Sequence, residues 1–433
     1  MSRLTRFPFG LLLAWMLASC GTPSAVQPTA TTTPVPPTAT MPQATATIPQ
    51  VAEKAVGAAV TQELAPFPFA EPGLYRVGVR EISAQDTNRN GREVSIRIWY
   101  PAVWPDGETK KRVLPRAEPD LSGAPYPVIL SWYPSGSTFG PHLASHGFFV
   151  AGIEAQEKLG LRLIDSPLDL LFALDHIATN PPDGFEGVAD AERAGALGLG
   201  GDAIAASTLG GARVDPSFYV AQCEVAPTME PALPDWWIDY TCNMEVTWDE
   251  ISAHAAEAAL TGSDDGLWLP ITDERILAVM PMAPESAWFY GERGLAAVDR
   301  PTLLIAATED DINPYDLEST FMLDHMDPTV GSMISFVGED HFSVVAAQPL
   351  ARMRHFAAAF FGFHLQGRLQ DALQDLQRVG RIGRYALLIL GNQLFSLLLM
   401  SIERRQLGGV GHNQFGIAGT RLLRGLRAAT SAQ

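Results

Sequence analysis

Basic residues are scarce in this chain of 433 residues, and their scarcity excludes one large class of proteins. Lys and Arg number 30 against 48 Asp and Glu, so the formal net charge is -18 at pH 7. A nucleic-acid-binding protein needs a basic face to neutralise phosphates. We therefore expect no nucleic-acid partner. Apolar residues make up 47% of the chain, which is enough to bury a core in one large or two ordinary domains.

The N-terminus lacks an apolar run long enough to span a membrane. Its apolar segment, residues 7–16, follows Arg3 and Arg6 and is well short of the roughly 20 residues that a spanning helix requires. Residues 1–20 resemble a bacterial lipoprotein signal peptide that ends at a cysteine. This resemblance implies that Cys20 is acylated and anchors an exported, periplasmic or cell-surface protein to the membrane. The alternative is an ordinary secretory signal with an incidental cysteine.

Charge is absent from the segment that follows. Residues 21–52 consist largely of Thr, Pro, Ala and Gln. Such a segment buries too little apolar area to offset the entropy of ordering, and its prolines favour extended conformers. The composition predicts a disordered tether over 21–63, which lifts a folded domain, residues 64–369, off the membrane.

The last segment, residues 370–433, has few acidic residues and many arginines. It contains the apolar run ALLILGNQLFSLLLMSI, which is borderline in length for a bilayer span and is interrupted by Asn392 and Gln393. This pattern favours a packed or interfacial helix flanked by arginines. The alternative is a tail unrelated to the fold.

The pattern of the folded domain predicts an α/β protein. Two strand-like runs joined at Asn90-Gly91 predict an N-terminal antiparallel hairpin. The run YPVILSWYP is typical of a buried parallel strand, and we expect a Gly/Ser loop and then a helix over PHLASHG. Further apolar strands alternate with helices toward the C-terminus. This alternation predicts a mostly parallel sheet with helices on both faces.

An insert, residues 209–269, interrupts that alternation. It is rich in Trp, Pro and Ala, and its length suits a cap over the carboxyl ends of the strands. The alternative is a surface excursion away from any site. Cys223 and Cys242 flank the aromatic part of the insert as an even pair. In an oxidising compartment they form either a disulfide or two free buried thiols.

Three loops at predicted strand ends carry polar residues: GLGGD at 198–202, TEDDINP at 308–314 and VGEDHFSV at 337–344. Nucleophile, acid and histidine follow one another in this order in α/β-hydrolases. The chain resembles that superfamily, in particular the branch of platelet-activating factor acetylhydrolases and predicted dienelactone hydrolases. The resemblance covers residues 74–368 in order. Its motifs are YRVGVREI, REVSIRIWYPA, PVILSWYPSG, LASHGFFVAGI, DSPLDLLFALDHI, ERAGALGLGGDA, DERILAVMPMAPE, RPTLLIAATEDDINP, GEDHFSV and AAAFFGFHLQGR.

The resemblance implies an α/β-hydrolase fold, a small ester or lipid as ligand, and neither cofactor nor metal. It assigns the acid to Asp310, with Asp311 as the alternative, and the histidine to His341. A carboxylate at the acid position would fix the tautomer of the histidine and stabilise its imidazolium form. We interpret His142 and His146, beside a predicted helix, as structural.

The serine that the resemblance requires is missing. The family pattern is Gly-x-Ser-x-Gly on a strained strand-to-helix turn, and this chain has Gly200 at the serine position and Asp202 at the last glycine. Glycine tolerates the strained backbone but cannot form an acyl-enzyme. We interpret Asp202 as a structural residue at a helix start, and Ser207 lies too far into the helix to replace the nucleophile.

The region of the oxyanion hole also departs from the family. Relatives tend to have Ser-His-Gly after the strand that matches PVIL, whereas this chain has Ser131, Trp132 and Tyr133 followed by a proline. A proline has no N–H to donate. By resemblance, the remaining donors belong to Gly201, Trp132 and Tyr133.

The sequence therefore supports two hypotheses about function. In the first, the protein has lost its nucleophile and binds a ligand or partner. In the second, it hydrolyses carboxylic esters or lipids with water activated by Asp310 and His341. A third pattern, the match of GLGGDA to a dinucleotide-binding loop with Asp215 as its acidic residue, is weak because it lies mid-chain beside motifs of another fold.

Overall fold

The computed structural model describes residues 67–107, 112–155, 158–243, 246–342 and 347–368. The predicted signal peptide with Cys20, the tether and the arginine-rich tail lie outside these residues. None of the helices in the described ranges combines the length and apolar character that a bilayer span requires.

The described residues form ten strands and nine α-helices. The strands are β1 (Arg76–Asp86), β2 (Arg92–Val103), β3 (Leu114–Pro115), β4 (Glu118–Pro119), β5 (Tyr126–Trp132), β6 (Phe149–Ala155), β7 (Ala189–Leu199), β8 (Ile276–Met282), β9 (Thr302–Ala307) and β10 (Gly331–Phe336). The helices are α1 (Tyr133–Ser145), α2 (Arg162–Thr179), α3 (Ala203–Leu209), α4 (Pro216–Val225), α5 (Asp235–Cys242), α6 (Trp248–Glu257), α7 (Ala287–Leu295), α8 (Ser319–His325) and α9 (Ala347–Gln366).

All ten strands belong to one sheet with the order β10-β9-β8-β7-β5-β6-β2-β1-β3, and β4 pairs with β2. The strands from β6 through β5, β7, β8 and β9 to β10 are parallel, whereas β2 runs antiparallel to both β1 and β6. The turn between β1 and β2 has positive φ at Asn90 and Gly91. The mixed α/β class and the mostly parallel sheet are confirmed.

The two faces of the sheet are covered by separate hydrophobic clusters. On β5, Ile129 packs into one cluster with residues of α1 and α9, such as Phe139 and Phe360. Its neighbours Val128 and Leu130 pack into the other cluster with residues of α2 and α3. Successive side chains of a strand point to opposite faces, and both faces of β5 are covered, so all seven of its residues are buried and only Ser131 among them is a small polar residue.

The expected Gly/Ser loop after β5 is wrong, because α1 begins directly at Tyr133. Gly136 and Gly140 lie inside this helix and serve close packing. A methyl group added at Gly140 would lie 2.6 Å from Cε3 of Trp99, and one at Gly136 would lie 2.9 Å from the Cα of Gly152. Contact with the sheet thus outweighs the low helix propensity of glycine.

The insert folds into three helices that share a core with the main domain. Cys223 of α4 and Cys242 of α5 form a disulfide, with their Cα atoms 5.5 Å apart. The ring of Tyr219 stacks on Phe289 of α7 at 4.4 Å. The Trp237 ring meets that of Trp288 edge-on at 4.6 Å. The insert is therefore packed against α7, the helix that follows β8.

Candidate functional site

The turn after β7 brings the backbone into a conformation that suits glycine. Residues Gly200–Asp202 form a single 3-10 turn between β7 and α3. Gly200 has φ +62, in the left-handed region that side chains disfavour. At Gly198 an added methyl group would collide with the backbone carbonyl of Asp202 and lie 2.7 Å from the Ala203 nitrogen. The tight strand-to-helix connection therefore requires glycine at residue 198 and favours it at residue 200.

The acid and the histidine meet across the ends of β9 and β10. Nδ1 of His341 lies 3.0 Å from Oδ1 and 2.9 Å from Oδ2 of Asp310. Oδ1 of Asp310 also accepts hydrogen bonds from the backbone nitrogens of Ile312, at 3.0 Å, and Asn313, at 2.7 Å. The carboxylate is buried and held from three directions. Asp310 therefore contacts His341, and the neighbouring Asp311 is exposed.

His341 presents its other ring nitrogen to the turn. A methyl group added at Gly200 would lie 3.5 Å from Nε2 and 3.7 Å from Cε1 of His341. Because Nδ1 is engaged by the carboxylate, it carries the proton in the neutral ring, and Nε2 is then the basic atom. The structure thus brings Gly200, Asp310 and His341 together.

The pKa of His341 is raised above its ordinary value. Burial alone disfavours the imidazolium, but the hydrogen bond and negative charge of Asp310 outweigh that effect, and Glu285 adds to it. An imidazole with this environment is a competent proton acceptor toward the turn.

Asp202 connects the turn to the neighbouring helix α1. Its Oδ2 accepts hydrogen bonds from the hydroxyl of Ser135 at 2.6 Å and from the Ser135 nitrogen at 3.2 Å. The same hydroxyl accepts from the backbone nitrogen of Leu199 at 3.0 Å. Burial raises the pKa of Asp202, and the Ser135 hydrogen bonds and Arg162 oppose the rise. These contacts support a structural role for Asp202. Ser207 is buried within α3.

Trp132 and Tyr133 lie at the carboxyl end of β5, next to β7. The guanidinium of Arg97 lies 4.5 Å above the Tyr133 ring and also donates a hydrogen bond to its hydroxyl. The indole nitrogen of Trp132 is buried and makes no hydrogen bond within the described part of the chain. The residues proposed for the oxyanion hole therefore border the turn, but the Tyr133 side chain is turned toward β2.

Glu285 is the principal site residue that the sequence reasoning missed. It follows β8 and is buried, and its Oε1 would lie 3.1 Å from a methyl group added at Gly201. Its Oε2 accepts a hydrogen bond from the hydroxyl of Tyr240 at 2.8 Å. The sequence does contain a signal for Glu285. An acidic residue follows an apolar strand in MAPES, just as acidic residues do in TEDD and GEDH.

Burial raises the pKa of Glu285, while the Tyr240 hydrogen bond and the charges of Arg162 and His341 oppose the rise. The nearby Glu318 is fully buried, and burial raises its pKa to about 8. Oε2 of Glu318 accepts from the Ala287 nitrogen at 2.8 Å, at the start of α7. Burial therefore favours the neutral form of both carboxyls, and at Glu285 the charges of Arg162 and His341 act against that preference.

Tyr240 belongs to α5 of the insert, so its hydrogen bond brings the insert to the site. Arg162, the first residue of α2, reaches the same place, since a methyl group at Gly201 would collide with its guanidinium. Arg162 and Glu285 therefore lie beside a turn of two glycines, and Tyr240 connects the insert to Glu285.

The dinucleotide interpretation fails on the position of Asp215. This residue caps α4 by accepting from the Phe218 nitrogen, and both its oxygens are bound by Arg293 at 2.8 and 2.9 Å. A carboxylate held in this way does not end a second strand, as a ribose-binding residue would. In the described ranges, no cluster of three His, Cys, Asp or Glu side chains is arranged to hold a metal ion.

Comparison with protein-family models and with curated protein sequences finds no match to the chain.

Proposed function

We propose that this protein is a lipid-anchored, exported α/β-hydrolase-fold protein that binds a small ester or lipid without forming an acyl-enzyme. The strand order supports the fold assignment, because one antiparallel strand, β2, precedes a parallel series with a crossover at β5 and β6. The ends of β7, β9 and β10 carry Gly200, Asp310 and His341 in the chain order of nucleophile, acid and histidine.

One observation supports the loss of acyl transfer most directly. His341 directs Nε2 to within 3.5 Å of the position that a side chain of residue 200 would occupy, and residue 200 is glycine. The proton acceptor and its orienting carboxylate are present, but the oxygen that they would activate is not. Without that oxygen, no covalent intermediate can form at the turn.

A second candidate function is slow hydrolysis by water. The contact between Asp310 and His341 favours it, since a positioned general base contributes typically about 10² to 10⁴-fold. Such an enzyme would act on carboxylic esters or lipids and would depend on His341.

Ester hydrolysis and probe labelling distinguish the two functions. We expect the full chain to leave p-nitrophenyl acetate intact and to resist a fluorophosphonate probe. The variant Gly200→Ser should react with the probe, because its hydroxyl would lie beside Nε2 of His341. Adding His341→Ala should abolish that reaction. Ester hydrolysis by the unaltered chain that disappears in His341→Ala would instead establish the second function.

The membrane anchor rests on the N-terminal sequence and has its own test. In a bacterial host, Cys20→Ser should shift the protein from the detergent phase to the aqueous phase, since acylation of Cys20 is the proposed attachment. Retention of the variant in the detergent phase would contradict lipid anchoring through this residue.

A further inference from the structure

Two charged side chains occupy the space above Gly201, the residue after the missing nucleophile. Arg162 arrives from α2 and Glu285 from the end of β8, and either would collide with or closely contact a Cβ at this position. Glycine is therefore favoured at residue 201 for a reason other than backbone conformation. It has no side chain, which leaves room for Arg162 and Glu285.

We propose that Glu285 determines what the site accepts, by placing a carboxylate beside the oxyanion position so that neutral or cationic ligands are tolerated and developing negative charge is not. This inference rests on the proposed function, since it takes the turn at Gly200 to be a former nucleophile elbow. It adds a second obstacle to acyl transfer, independent of the missing serine.

In acyl transfer, negative charge develops on the carbonyl oxygen of the substrate. In hydrolases of this type, the backbone N–H of the residue after the nucleophile helps to bind the oxyanion, and here that residue is Gly201. Oε1 of Glu285 lies 3.1 Å from the position of its Cβ, and so within a few ångströms of that N–H. In its ionised form, which Arg162, His341 and the Tyr240 hydrogen bond favour against burial, a carboxylate here repels an oxyanion strongly, because the site is buried and poorly screened.

Glu285 is held in this place by its surroundings. Tyr240 of the insert donates to Oε2, which leaves Oε1 directed to the turn. The backbone on both sides has positive φ, +40 at Ala283 and +78 at Ser286, in residues that disfavour it. Asn313 supports the first of these by donating to the Ala283 carbonyl at 2.7 Å. Strain of this kind persists only where surrounding contacts enforce it.

Arg162 and Glu285 also compensate each other. The guanidinium next to Gly201 would favour an oxyanion, but the adjacent carboxylate cancels that attraction. Replacing Glu285 with glutamine removes the repulsion and leaves the positive charge of Arg162 in place. The amide oxygen still accepts the Tyr240 hydrogen bond, so the packing is preserved.

The experiment compares full-length Gly200→Ser with the double variants Gly200→Ser/Glu285→Gln and Gly200→Ser/Tyr240→Phe. The first measurement is the rate of fluorophosphonate labelling. The introduced hydroxyl attacks phosphorus, its proton passes to Nε2 of His341, and fluoride leaves. The second is the affinity for butylboronic acid: the hydroxyl oxygen bonds to boron, its proton passes to Nε2 of His341, and a four-coordinate boronate anion forms without a leaving group.

We expect Glu285→Gln to raise both the labelling rate and the boronate affinity of the serine variant by about tenfold to a hundredfold. Tyr240→Phe keeps the carboxyl but removes a hydrogen bond that favours its ionised form, so it should raise both values less than Glu285→Gln does. Equal or lower values with Glu285→Gln would overturn the inference while leaving the elbow intact. A larger gain from Tyr240→Phe than from Glu285→Gln would also overturn it, because the effect would then come from the insert and not from the charge of Glu285. Absence of labelling in all three variants would refute the proposed elbow and this inference together.

Discussion

A methyl group added at Gly200 would lie 3.5 Å from Nε2 of His341, which is ordinary van der Waals contact. The histidine has therefore not moved into the space that a nucleophile would fill. His341 is hydrogen-bonded to Asp310, and residue 200 can carry a side chain without displacing its neighbours. At Gly201, by contrast, Arg162 and Glu285 occupy that space. Glycine is therefore favoured at residue 200 by the backbone conformation and at residue 201 by the side chains that lie beside it.

The glycines of the turn should differ in how they tolerate alanine. Gly200→Ala should lower the free energy of unfolding by about 1 kcal/mol, because its φ of +62 is strained for a side chain but the space is open. Gly198→Ala should cost about 3 kcal/mol, because its Cβ would collide with the backbone at Asp202. Urea unfolding followed by tryptophan fluorescence measures both. Equal losses would contradict the described turn.

Asp310→Asn should lower the pKa of His341. Burial then acts against the imidazolium without the charge of Asp310 to oppose it. The control Asp311→Asn should lower it much less, since the Asp311 carboxylate makes a smaller contribution. An NMR titration of the His341 ring in each variant gives the answer, and a larger effect from Asp311→Asn would reassign the acid.

The same contact predicts a pH dependence of stability. A histidine whose folded pKa is raised stabilises the fold fully below its ordinary value of 6.5 and loses that contribution as pH rises through the folded pKa. Asp310→Asn should therefore cost more stability at pH 6 than at pH 9. Urea unfolding at both values tests this, and a cost that grows with pH would contradict it.

Three buried histidines predict destabilisation by acid. Burial lowers the pKa of His142 to about 3, of His146 to about 4 and of His355 to about 3. All three hydrogen-bond the backbone at Phe69 or Glu71 while neutral. Since the unfolded chain binds the protons more readily, each should cost about 2 kcal/mol between pH 6.5 and pH 5.

The matched variant for this cluster is His146→Gln, which keeps a donor for the Glu71 carbonyl and removes the titrating group. Its loss of stability from pH 7 to pH 5 should be smaller than that of the unaltered chain by about 2 kcal/mol. Urea unfolding at the two pH values measures the difference. Parallel losses would show that His146 does not carry the acid sensitivity.

The disulfide should stabilise the insert. Cys223 and Cys242 are 19 residues apart, and closing a loop of this size contributes about 3 kcal/mol. Because α5 also carries Tyr240, reduction should loosen the side of the site that holds Glu285. We expect dithiothreitol to lower the thermal midpoint and to expose residues 209–269 to limited proteolysis. A double Cys223→Ser/Cys242→Ser variant should behave like the reduced protein and be insensitive to dithiothreitol.

Local sequence patterns were sufficient for the class of the fold and for part of the site. Apolar runs such as that of β5 identified the buried parallel strands, because strands covered on both faces have near-continuous apolar sequence. The contact between Asp310 and His341 was expected from the resemblance, and it forms because both residues follow parallel strands whose carboxyl ends meet at one edge of the sheet. The glycines of α1 led to the wrong prediction of a loop, because their packing partner Trp99 is distant in the chain.

By itself, the sequence determined the alternation of strands and helices, the order of the three loops and the absence of a serine at residue 200, because each is a property of consecutive residues. Only the tertiary structure decided that Glu285, Arg162 and Tyr240 gather above Gly201. These residues come from the loop after β8, from α2 and from the insert, and no local pattern shows which distant side chains the packing of helices on a sheet brings together. The charge at the turn is therefore a property of the fold.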